Sequence, residues 1–443
     1  MTPELIGLLS IALIFALILL GMHIGVALAA VSFIGVYMIT GRMSVAASLL
    51  QSTAYSGLAD YAFAVIPLFV VMGLFAMRAG VVRDLFDAAE TVTRRIHGGI
   101  GVSTVFANAV FAAVTGVSVA SAAVFSKIAV PEMNRLGYDR RFGLGIVAAS
   151  ALLGMLLPPS VLMIIYGVLT EQSIGRLFAA GIGPGLLVTA ALILSIVLRV
   201  RARPQLAGEE SAARARGEVR NPLSPTQILT KMGPIGALIF LVLGGIYGGF
   251  FTPTEAGAIG AVGALLLAVV KRRFTGTALL ETLLDTGKAC GAIFFLLITA
   301  QMYSRMLTLS RLPDTLTMWA TGLEVPAIVV VLLFVVVLLV LGCIIDSVSI
   351  LLLTMPIMVP VIMNLGYDPI WFGMVAILTI ELGLITPPFG MVVFAMRASL
   401  AEPVPVEEIF RGILPFFAVL LFALALVIAF DDISLFFPRL IYG

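Results

Sequence analysis

The strongest constraint on this chain is the recurrence of uninterrupted apolar stretches of about the length of a membrane span. Such stretches occur along its whole length, for example at 6–20, 232–247, 327–341 and 413–430. Hydrophobic residues make up 61% of the 443 residues and charged residues 11%, whereas a soluble domain is roughly half apolar and roughly a quarter charged. We therefore predict an all-α polytopic membrane protein, because a β-barrel would show shorter segments of alternating polarity.

Charge and cysteine content add little to this prediction. The net charge of +2 does not indicate nucleic-acid binding, because the basic residues fall in polar loops. Cys290 and Cys343 lie in apolar surroundings, and their number and spacing predict neither a disulfide framework nor a metal site. The first ten residues lack a basic region and a cleavage site, which favours a first span over a removable signal peptide.

The chain also matches itself when it is shifted by 229 residues. PEMNRLGYD at 131–139 then falls on PVIMNLGYD at 360–368, and Ser118 falls on Ser347. The Pro-Pro pair of GMLLPPSV falls on that of GLITPPFG in the same register. Matches at three separated places indicate an internal repeat, and we expect the two copies to be residues 1–198 and 232–443.

The distribution of basic residues predicts that the two copies are inserted upside down relative to each other. The polar linker between them, 199–231, holds seven Lys/Arg against three Glu, so we expect it in the cytoplasm. The loop at 127–141 carries four basic residues, whereas its counterpart at 356–370 carries none. The sequence therefore predicts inverted-topology repeats, a device of secondary transporters, with both termini in the periplasm.

Each repeat is predicted to hold about five spans and one re-entrant helical hairpin, at 98–128 in the first and at 325–362 in the second. A Pro-Pro pair interrupts one span of each repeat. Non-helical backbone at membrane depth survives only where protein buries it or where it lines a wet cavity. We therefore expect each broken span to open its backbone to an ion or a substrate. Residues 81–97 are amphipathic and too charged to span, which favours a helix along the inner interface or a solvated connecting helix.

The candidate site residues lie at the breaks and at the predicted hairpin tips. Carbonyl, hydroxyl and carboxylate oxygens there suit an alkali cation, and helix N-termini suit an anion. Buried acids are functional hypotheses by default; Asp346 could coordinate a cation or form a structural hydrogen bond, and Glu381 could act at the site or satisfy freed backbone groups. The candidates are Thr115, Gly116, Val117, Ser118, Pro158, Pro159, Ser160, Asp346, Ser347, Ser349, Glu381, Thr386, Pro387, Pro388 and Gly390, with Ser118, Asp346 and Thr386 as ligands of an alkali cation, which the resemblance described next identifies as Na⁺.

Several longer motifs follow one another in order, among them IPLFVVMG, TGVSVAS, LLPPSVLMIIYG, GGFFTPTEAGAIGA and ELGLITPPFG. With these motifs the chain resembles the large membrane subunit of tripartite ATP-independent periplasmic (TRAP) transporters, the DctM-like type. The resemblance implies an elevator-type importer in the bacterial inner membrane for small organic acids such as dicarboxylates, sugar acids or sialic acid. It implies Na⁺ as the coupling ion, no cofactor, and two partners: a small four-helix membrane subunit and a periplasmic substrate-binding protein.

Other classes of protein fit the residues less well. An ion-coupled anion permease with inverted repeats that works without a binding protein stays open, since hairpins and proline breaks suit both. An intramembrane enzyme would need a convergent catalytic set, and the sequence has neither H-E-x-x-H nor a Ser/His arrangement. An ATP-driven pump would need a phosphate-binding G-x-x-x-x-G-K-[ST] loop, which is missing from the sequence.

Overall fold

The computed structural model describes residues 1–59, 61–208, 223–272, 275–322 and 325–443, and it contains helices but no strand among them. The helices up to residue 208 are α1 (Pro3–Leu19), α2 (Ile24–Thr40), α3 (Met43–Ala59), α4 (Val65–Arg78), α5 (Val81–Thr93), α6 (Gly99–Thr115), α7 (Ser118–Arg135), α8 (Arg140–Ala151), α9 (Leu153–Leu156), α10 (Val161–Thr170) and α11 (Ile174–Ala202). Those after residue 222 are α12 (Pro225–Tyr247), α13 (Pro253–Val270), α14 (Gly276–Ser310), α15 (Leu312–Gly322), α16 (Ala327–Gly342), α17 (Ser347–Asn364), α18 (Pro369–Gly383), α19 (Met391–Ser399), α20 (Val406–Ala429) and α21 (Asp432–Tyr442).

The helices confirm the prediction of an all-α polytopic membrane protein. Eight helical segments of the described chain are long and apolar enough to cross a membrane. One of them, Arg140–Thr170, contains the first Pro-Pro pair, and 83% of its most apolar window is buried inside the protein. The broken span therefore lies within the bundle, where neighbouring helices shield its non-helical backbone from lipid.

The internal repeat is visible in the helix boundaries. Shifting α7 by 229 residues turns 118–135 into 347–364, which are the bounds of α17. The same shift turns α2 into 253–269, and α13 covers Pro253–Val270. Each copy contains a helical hairpin, α6–α7 or α16–α17, followed by a broken span, α8–α9–α10 or α18–α19. The exact domain boundaries stay a prediction, and part of the predicted linker lies outside the described residues.

The repeated Leu-Gly-Tyr-Asp motif explains why the hairpin and the broken span have the same register in both copies. Gly137 and Gly366 adopt positive φ angles of 72° and 85°, which end the preceding helix at little steric cost. The aspartate two residues later caps the next helix: Asp139 accepts from the Phe142 amide at 2.8 Å, and Asp368 accepts from the Ile370 amide at 2.7 Å. A short sequence motif thus sets one helix end and one helix start in each copy.

The basic segment predicted as a loop at 127–141 forms the end of α7, a turn at 136–139 and the start of α8, because the left-handed glycine and the aspartate cap join the two helices closely. This turn lies beside the start of the basic linker. The amide of Asp139 donates to the carbonyl of Leu206 at 3.1 Å. A Cβ atom added to Gly208 would lie only 2.2 Å from the carbonyl oxygen of Gly137. The two basic segments that the sequence predicts on the cytoplasmic side therefore lie at the same end of the molecule.

Candidate functional site

The first hairpin turns in two residues. Gly116 ends α6 with a φ of 63°, a left-handed conformation that suits glycine. Val117 is extended, and Ser118 is the first residue of α7. At the second hairpin Asp346 caps α17 by accepting from the Ser349 amide at 3.0 Å. Both hairpins therefore direct the N-terminus of a helix, with its positive dipole end, toward the tip.

Both Pro-Pro pairs have cis peptide bonds, and a hydroxyl beside each pair compensates for part of the lost helix. Ser160 caps α10, and its hydroxyl donates to the Met155 carbonyl at 2.6 Å. Thr386 donates to the Leu382 carbonyl at 2.7 Å, and Gly390 starts α19 with a φ of 55°. The sequence reasoning named Ser160 and Thr386 for their position at the breaks, and in the structure their hydroxyls satisfy carbonyls of the ending helices.

Each hairpin packs directly onto the broken span of its own copy. A Cβ atom on Gly116 would lie 2.8 Å from the Pro159 carbonyl oxygen, and the Val161 amide donates to the Gly116 carbonyl at 3.4 Å. In the second copy, a Cβ atom on Gly342 would lie 2.7 Å from the Cα atom of Gly383. The hairpins and the breaks therefore meet backbone to backbone, and glycine is needed at these contacts.

Glu381 joins the two copies. Its side chain is completely buried, and it accepts a hydrogen bond from each hairpin. Ser118 Oγ donates to Glu381 Oε2, and Ser347 Oγ donates to Glu381 Oε1 at 3.1 Å. Ser118 and Ser347 are equivalent residues of the repeat, and each begins the second helix of its hairpin. One carboxyl group thus contacts the first residue of a helix from each hairpin, so the two copies meet at this point.

The three predicted sodium ligands have separate hydrogen-bond partners. Ser118 bonds to Glu381, Asp346 caps α17, and Thr386 bonds within its own turn. In the part of the chain that the structure describes, no group of three or more His, Cys, Asp or Glu could hold a metal ion. The individual ligands of a sodium site stay a prediction.

The structure adds the buried residues Asn108, Ser150 and Ser121, which the sequence did not single out as site candidates, and it leaves the candidate Ser349 without a partner. Asn108 of α6 donates to Ser150 Oγ of α8 at 3.0 Å, and both side chains are fully buried. Asn108 Oδ1, Ser121 Oγ and Ser349 Oγ are buried without a hydrogen-bond partner among the described residues. The signal for Asn108 is its amide side chain within the apolar segment VFANAVF, since an unpaired amide at membrane depth is costly.

Two copies, each with a hairpin seated on a broken span, define a class: polytopic transporters in which half-helices from both copies build the site. A sequence model of the family described as "Tripartite ATP-independent periplasmic transporter, DctM component" matches residues 11–433. The chain belongs to this family and is a DctM-like large permease subunit.

Named relatives agree with this membership. The C4-dicarboxylate TRAP transporter large permease protein DctM of Pseudomonas aeruginosa is 35% identical over 385 residues, which cover 86% of each chain. The sialic acid TRAP transporter large permease protein SiaM of Vibrio cholerae is 31% identical over 388 residues, 87% of this chain and 88% of the relative. The isethionate TRAP transporter permease protein DctMQ of Oleidesulfovibrio alaskensis is 29% identical over 387 residues, 87% of this chain and 59% of the relative.

A solved structure has the same fold. The crystal structure of the Alcanivorax borkumensis YdaH transporter, whose title reports an unusual topology, superposes with a TM-score of 0.63. The alignment covers 89% of this chain and 90% of the other at 18% identity. This likeness concerns the fold alone. The transport role rests on the family match and on the relatives, which are named as transporter permeases.

Proposed function

We propose that this chain is the permease of a sodium-coupled secondary importer of small organic acids in the bacterial inner membrane. The observation that carries the proposal is the hydrogen bonding of Ser118 and Ser347, one from each hairpin, to the buried carboxylate of Glu381. A polar site built from both copies of an internal repeat is typical of secondary transporters.

Sodium as the coupling ion is supported by the chemistry of the tips and breaks. Hydroxyl, carbonyl and carboxylate oxygens are the ligands that hard cations prefer. The unpartnered hydroxyl of Ser349 lies in the first turn of α17, next to the cap Asp346. The proposal needs no organic cofactor, because a sodium gradient supplies the driving force.

The substrate class is supported by the names of the relatives. C4-dicarboxylates and sialic acid carry carboxylates, whereas isethionate carries a sulfonate. We therefore propose a small organic acid as the substrate, and this class is wider than the carboxylates that the sequence suggested. The positive helix ends at both hairpin tips are suited to an anionic group.

Two partners belong to the proposal. The family is described as tripartite, which supports a small four-helix membrane subunit and a periplasmic substrate-binding protein beside this chain. The relative named DctMQ supports the membrane partner, because this chain covers only 59% of its length. We propose that both termini are periplasmic and that the linker is cytoplasmic, since the turn within the basic segment 127–141 lies beside the basic start of the linker.

We propose an elevator-type movement of the hairpins and broken spans against the remaining helices. In support, α1–α4 pack with α14, and α4 also packs with α13, whereas α7 packs with α19 and α8 packs with α20. In this mechanism the first group is the scaffold, and the hairpins move with the broken spans on which they are seated.

Thermal unfolding of the purified permease tests sodium coupling without any partner or substrate. We expect NaCl to raise the melting temperature in a saturable way relative to KCl and choline chloride at equal ionic strength. A ligand that binds only the native state stabilises it by about 1.4 kcal/mol at ten times its dissociation constant. The effect should shrink in Ser118→Ala and in Asp346→Ala. If both variants keep the full sodium response, the ligand assignment is wrong, and an equal response to all three salts would contradict sodium coupling.

Reconstitution separates the proposal from a permease that works alone. Proteoliposomes with this chain, its membrane partner and the binding protein should accumulate a labelled organic acid only with an inward sodium gradient. Uptake by this chain alone at the same rate would contradict a tripartite importer and favour the binding-protein-independent anion permease.

A further inference from the structure

A cavity of about 640 Å³ lies between the second half of α7 and the connection from α19 to α20. Its polar lining comes from both sides of this junction: Ser126, Lys127 and Asn134 on α7, Arg140 at the start of α8, Ser399 at the end of α19, and Glu402 after it. None of these residues belongs to the tips or breaks described above. The cavity is therefore a second polar region of the molecule.

The charges of the lining favour an anion. Two cations, Lys127 and Arg140, face one acid, Glu402. Arg140 and Glu402 are 3.8 Å apart, and the Glu402 side chain is 79% exposed, so this pair is a loose one. Lys127 makes no ion pair with any described residue. The cavity thus keeps one positive charge that no acid of its own lining neutralises.

An unpartnered buried hydroxyl is the second, independent observation. Ser126 is 1% exposed, and its Oγ atom has no hydrogen-bond partner among the described residues. A serine inside a helix usually bonds the carbonyl four residues earlier, as Ser103 does with Gly99 at 2.6 Å. A buried hydroxyl without a partner costs free energy, which a ligand in the cavity would recover.

The position of the cavity links it to the site. Ser126 follows Ser118 by eight residues on α7, a distance of about 12 Å along a helix. α19, the half-helix after the second break, packs along α7. The cavity therefore lies at the end of the α7–α19 pair that faces the basic loop, away from Glu381.

We propose that this cavity is an anion-binding release site, which holds the acidic group of the substrate through Lys127 and Ser126 as it leaves for the cytoplasm. The role in release and its side of the membrane rest on the function proposed above. The preference for an anion rests on the lining of the cavity alone, so the release role can be wrong while the anion preference holds.

Charge-selective thiol labelling tests the anion preference. In a chain with Cys290→Ala and Cys343→Ala, Asn134→Cys is the reporter, and Ser52→Cys, in a surface groove lined by uncharged residues, is the matched control. Rates are measured in phosphatidylcholine nanodiscs with sulfonatoethyl and trimethylammonioethyl methanethiosulfonate. We expect the anionic-to-cationic rate ratio at Asn134→Cys to exceed that of the control by about tenfold.

Two substitutions of Lys127 show whether the rate ratio depends on its charge or on a change in folding. Lys127→Gln should bring the ratio close to that of the control, whereas Lys127→Arg should preserve it. A ratio equal to the control in the parent chain, or one that Lys127→Gln leaves unchanged, overturns the anion site.

Protection then identifies the ligand. Sodium succinate or sodium isethionate should slow labelling relative to sodium chloride at equal ionic strength, and Ser126→Ala should weaken this protection without changing the charge ratio. If phosphatidylglycerol in the nanodiscs slows labelling and the organic acids do not, the cavity binds a lipid headgroup and the release role is wrong. A missing sodium response in thermal unfolding would contradict the proposed coupling but would not alter the charge ratio.

Discussion

At the scale of single residues, one carboxylate holds together parts of the chain that are far apart in sequence. Ser118 lies 263 residues before Glu381, and Ser347 lies 34 residues before it. Both serines are the first residues of their helices, so a small displacement of either hairpin would break its bond. The two hydrogen bonds of Glu381 therefore depend on the relative position of the two hairpins, and its carboxyl group also makes the site polar.

Glu381→Ala should destabilise the protein because it leaves two buried hydroxyls without their acceptor. Each unsatisfied group costs about 1–3 kcal/mol. Glu381→Gln should cost less, since the amide oxygen still accepts from one serine. The measurement is the apparent melting temperature in detergent.

The matched control for Glu381 is Thr379→Val on the same helix. Thr379 is equally buried, but its hydroxyl donates only to the Val375 carbonyl of its own helix. We expect this variant to melt close to the parent protein. Equal melting temperatures for Glu381→Ala and Thr379→Val would show that the two serine contacts do not stabilise the fold.

Gly116→Ala should lower both stability and transport. Its φ of 63° strains any residue with a Cβ atom, at about 1–3 kcal/mol. The new Cβ atom would also press on the Pro159 carbonyl oxygen at 2.8 Å, where the first hairpin meets the first break. Melting temperature and sodium-dependent uptake measure the two effects.

Gly366→Ala separates strain from contact. Gly366 has a φ of 85°, but no atom lies within 4 Å of a Cβ atom at this position. We expect a loss of stability from strain with little loss of transport. If Gly366→Ala impairs uptake as much as Gly116→Ala does, the contact between tip and break has no special role.

The residue types of the site could be predicted from the sequence, but their partners could not. Serines at the tips and an acid before the second break stand out in apolar segments. The shared bond of Ser118 and Ser347 to Glu381 depends on how two hairpins from opposite copies meet, and this is decided by tertiary packing. For the same reason Ser126 gave no signal, because its lack of a partner is visible only once α19 is packed on α7.

At the scale of elements, α5 connects α4 to the first hairpin and is fastened by ion pairs. Lys231 Nζ lies 3.2 Å from Asp84 and 2.6 Å from Asp87, and Lys271 also pairs with Asp84. The two lysines come from α12 and from the end of α13. Asp84 is 17% exposed and Lys271 is 19% exposed, so this network is partly shielded from water.

Asp84→Asn should loosen α5 from α12 and α13, because it removes a charge that two lysines share. We expect a loss of about 1 kcal/mol in the local opening free energy of α5. Hydrogen exchange of the α5 amides measures this loss. As a control, Asp432→Asn breaks a pair whose side chains are 57% and 76% exposed and should leave exchange in α21 nearly unchanged.

Faster exchange throughout the protein in Asp84→Asn would indicate general destabilisation and contradict a local role of these ion pairs in holding α5.

The hairpins and broken spans were predictable as elements, since Pro-Pro and the Leu-Gly-Tyr-Asp motif mark helix ends by local chemistry. Helix α3 was not, because its segment MSVAASLLQSTAYSGLA is rich in small and polar residues and gives no apolar run.

At the scale of the whole molecule, the two copies exchange half-helices. α10, which follows the first break, packs on α17 of the second hairpin, and α19 packs on α7 of the first. Tyr166 on α10 donates to the Pro369 carbonyl at 2.5 Å. The matches at a shift of 229 residues predicted two copies, but the exchange between them could not be predicted because it depends on how the helices pack.

The proposed topology predicts which parts of the chain can be labelled from outside an intact inner membrane. With both native cysteines replaced, Thr2→Cys and Gly443→Cys should react with a membrane-impermeant maleimide added to cells that have lost the outer membrane. Ser224→Cys, at the end of the linker, should react only after the inner membrane is opened. Labelling of Ser224→Cys before the inner membrane is opened, or labelling of only one terminus, would contradict this topology.

The large sequence separation between Ser118 and Glu381 also causes a delay during synthesis, before their hydrogen bond can form. The serine leaves the ribosome 263 residues before the carboxylate that it will bind. At about 5–20 residues per second, this delay is on the order of 10–50 s. During that interval the first hairpin is in the membrane with its tip incomplete, and α10 has no α17 to pack against. Membrane quality control would therefore act on this protein mainly during the period when only its first copy has been synthesised.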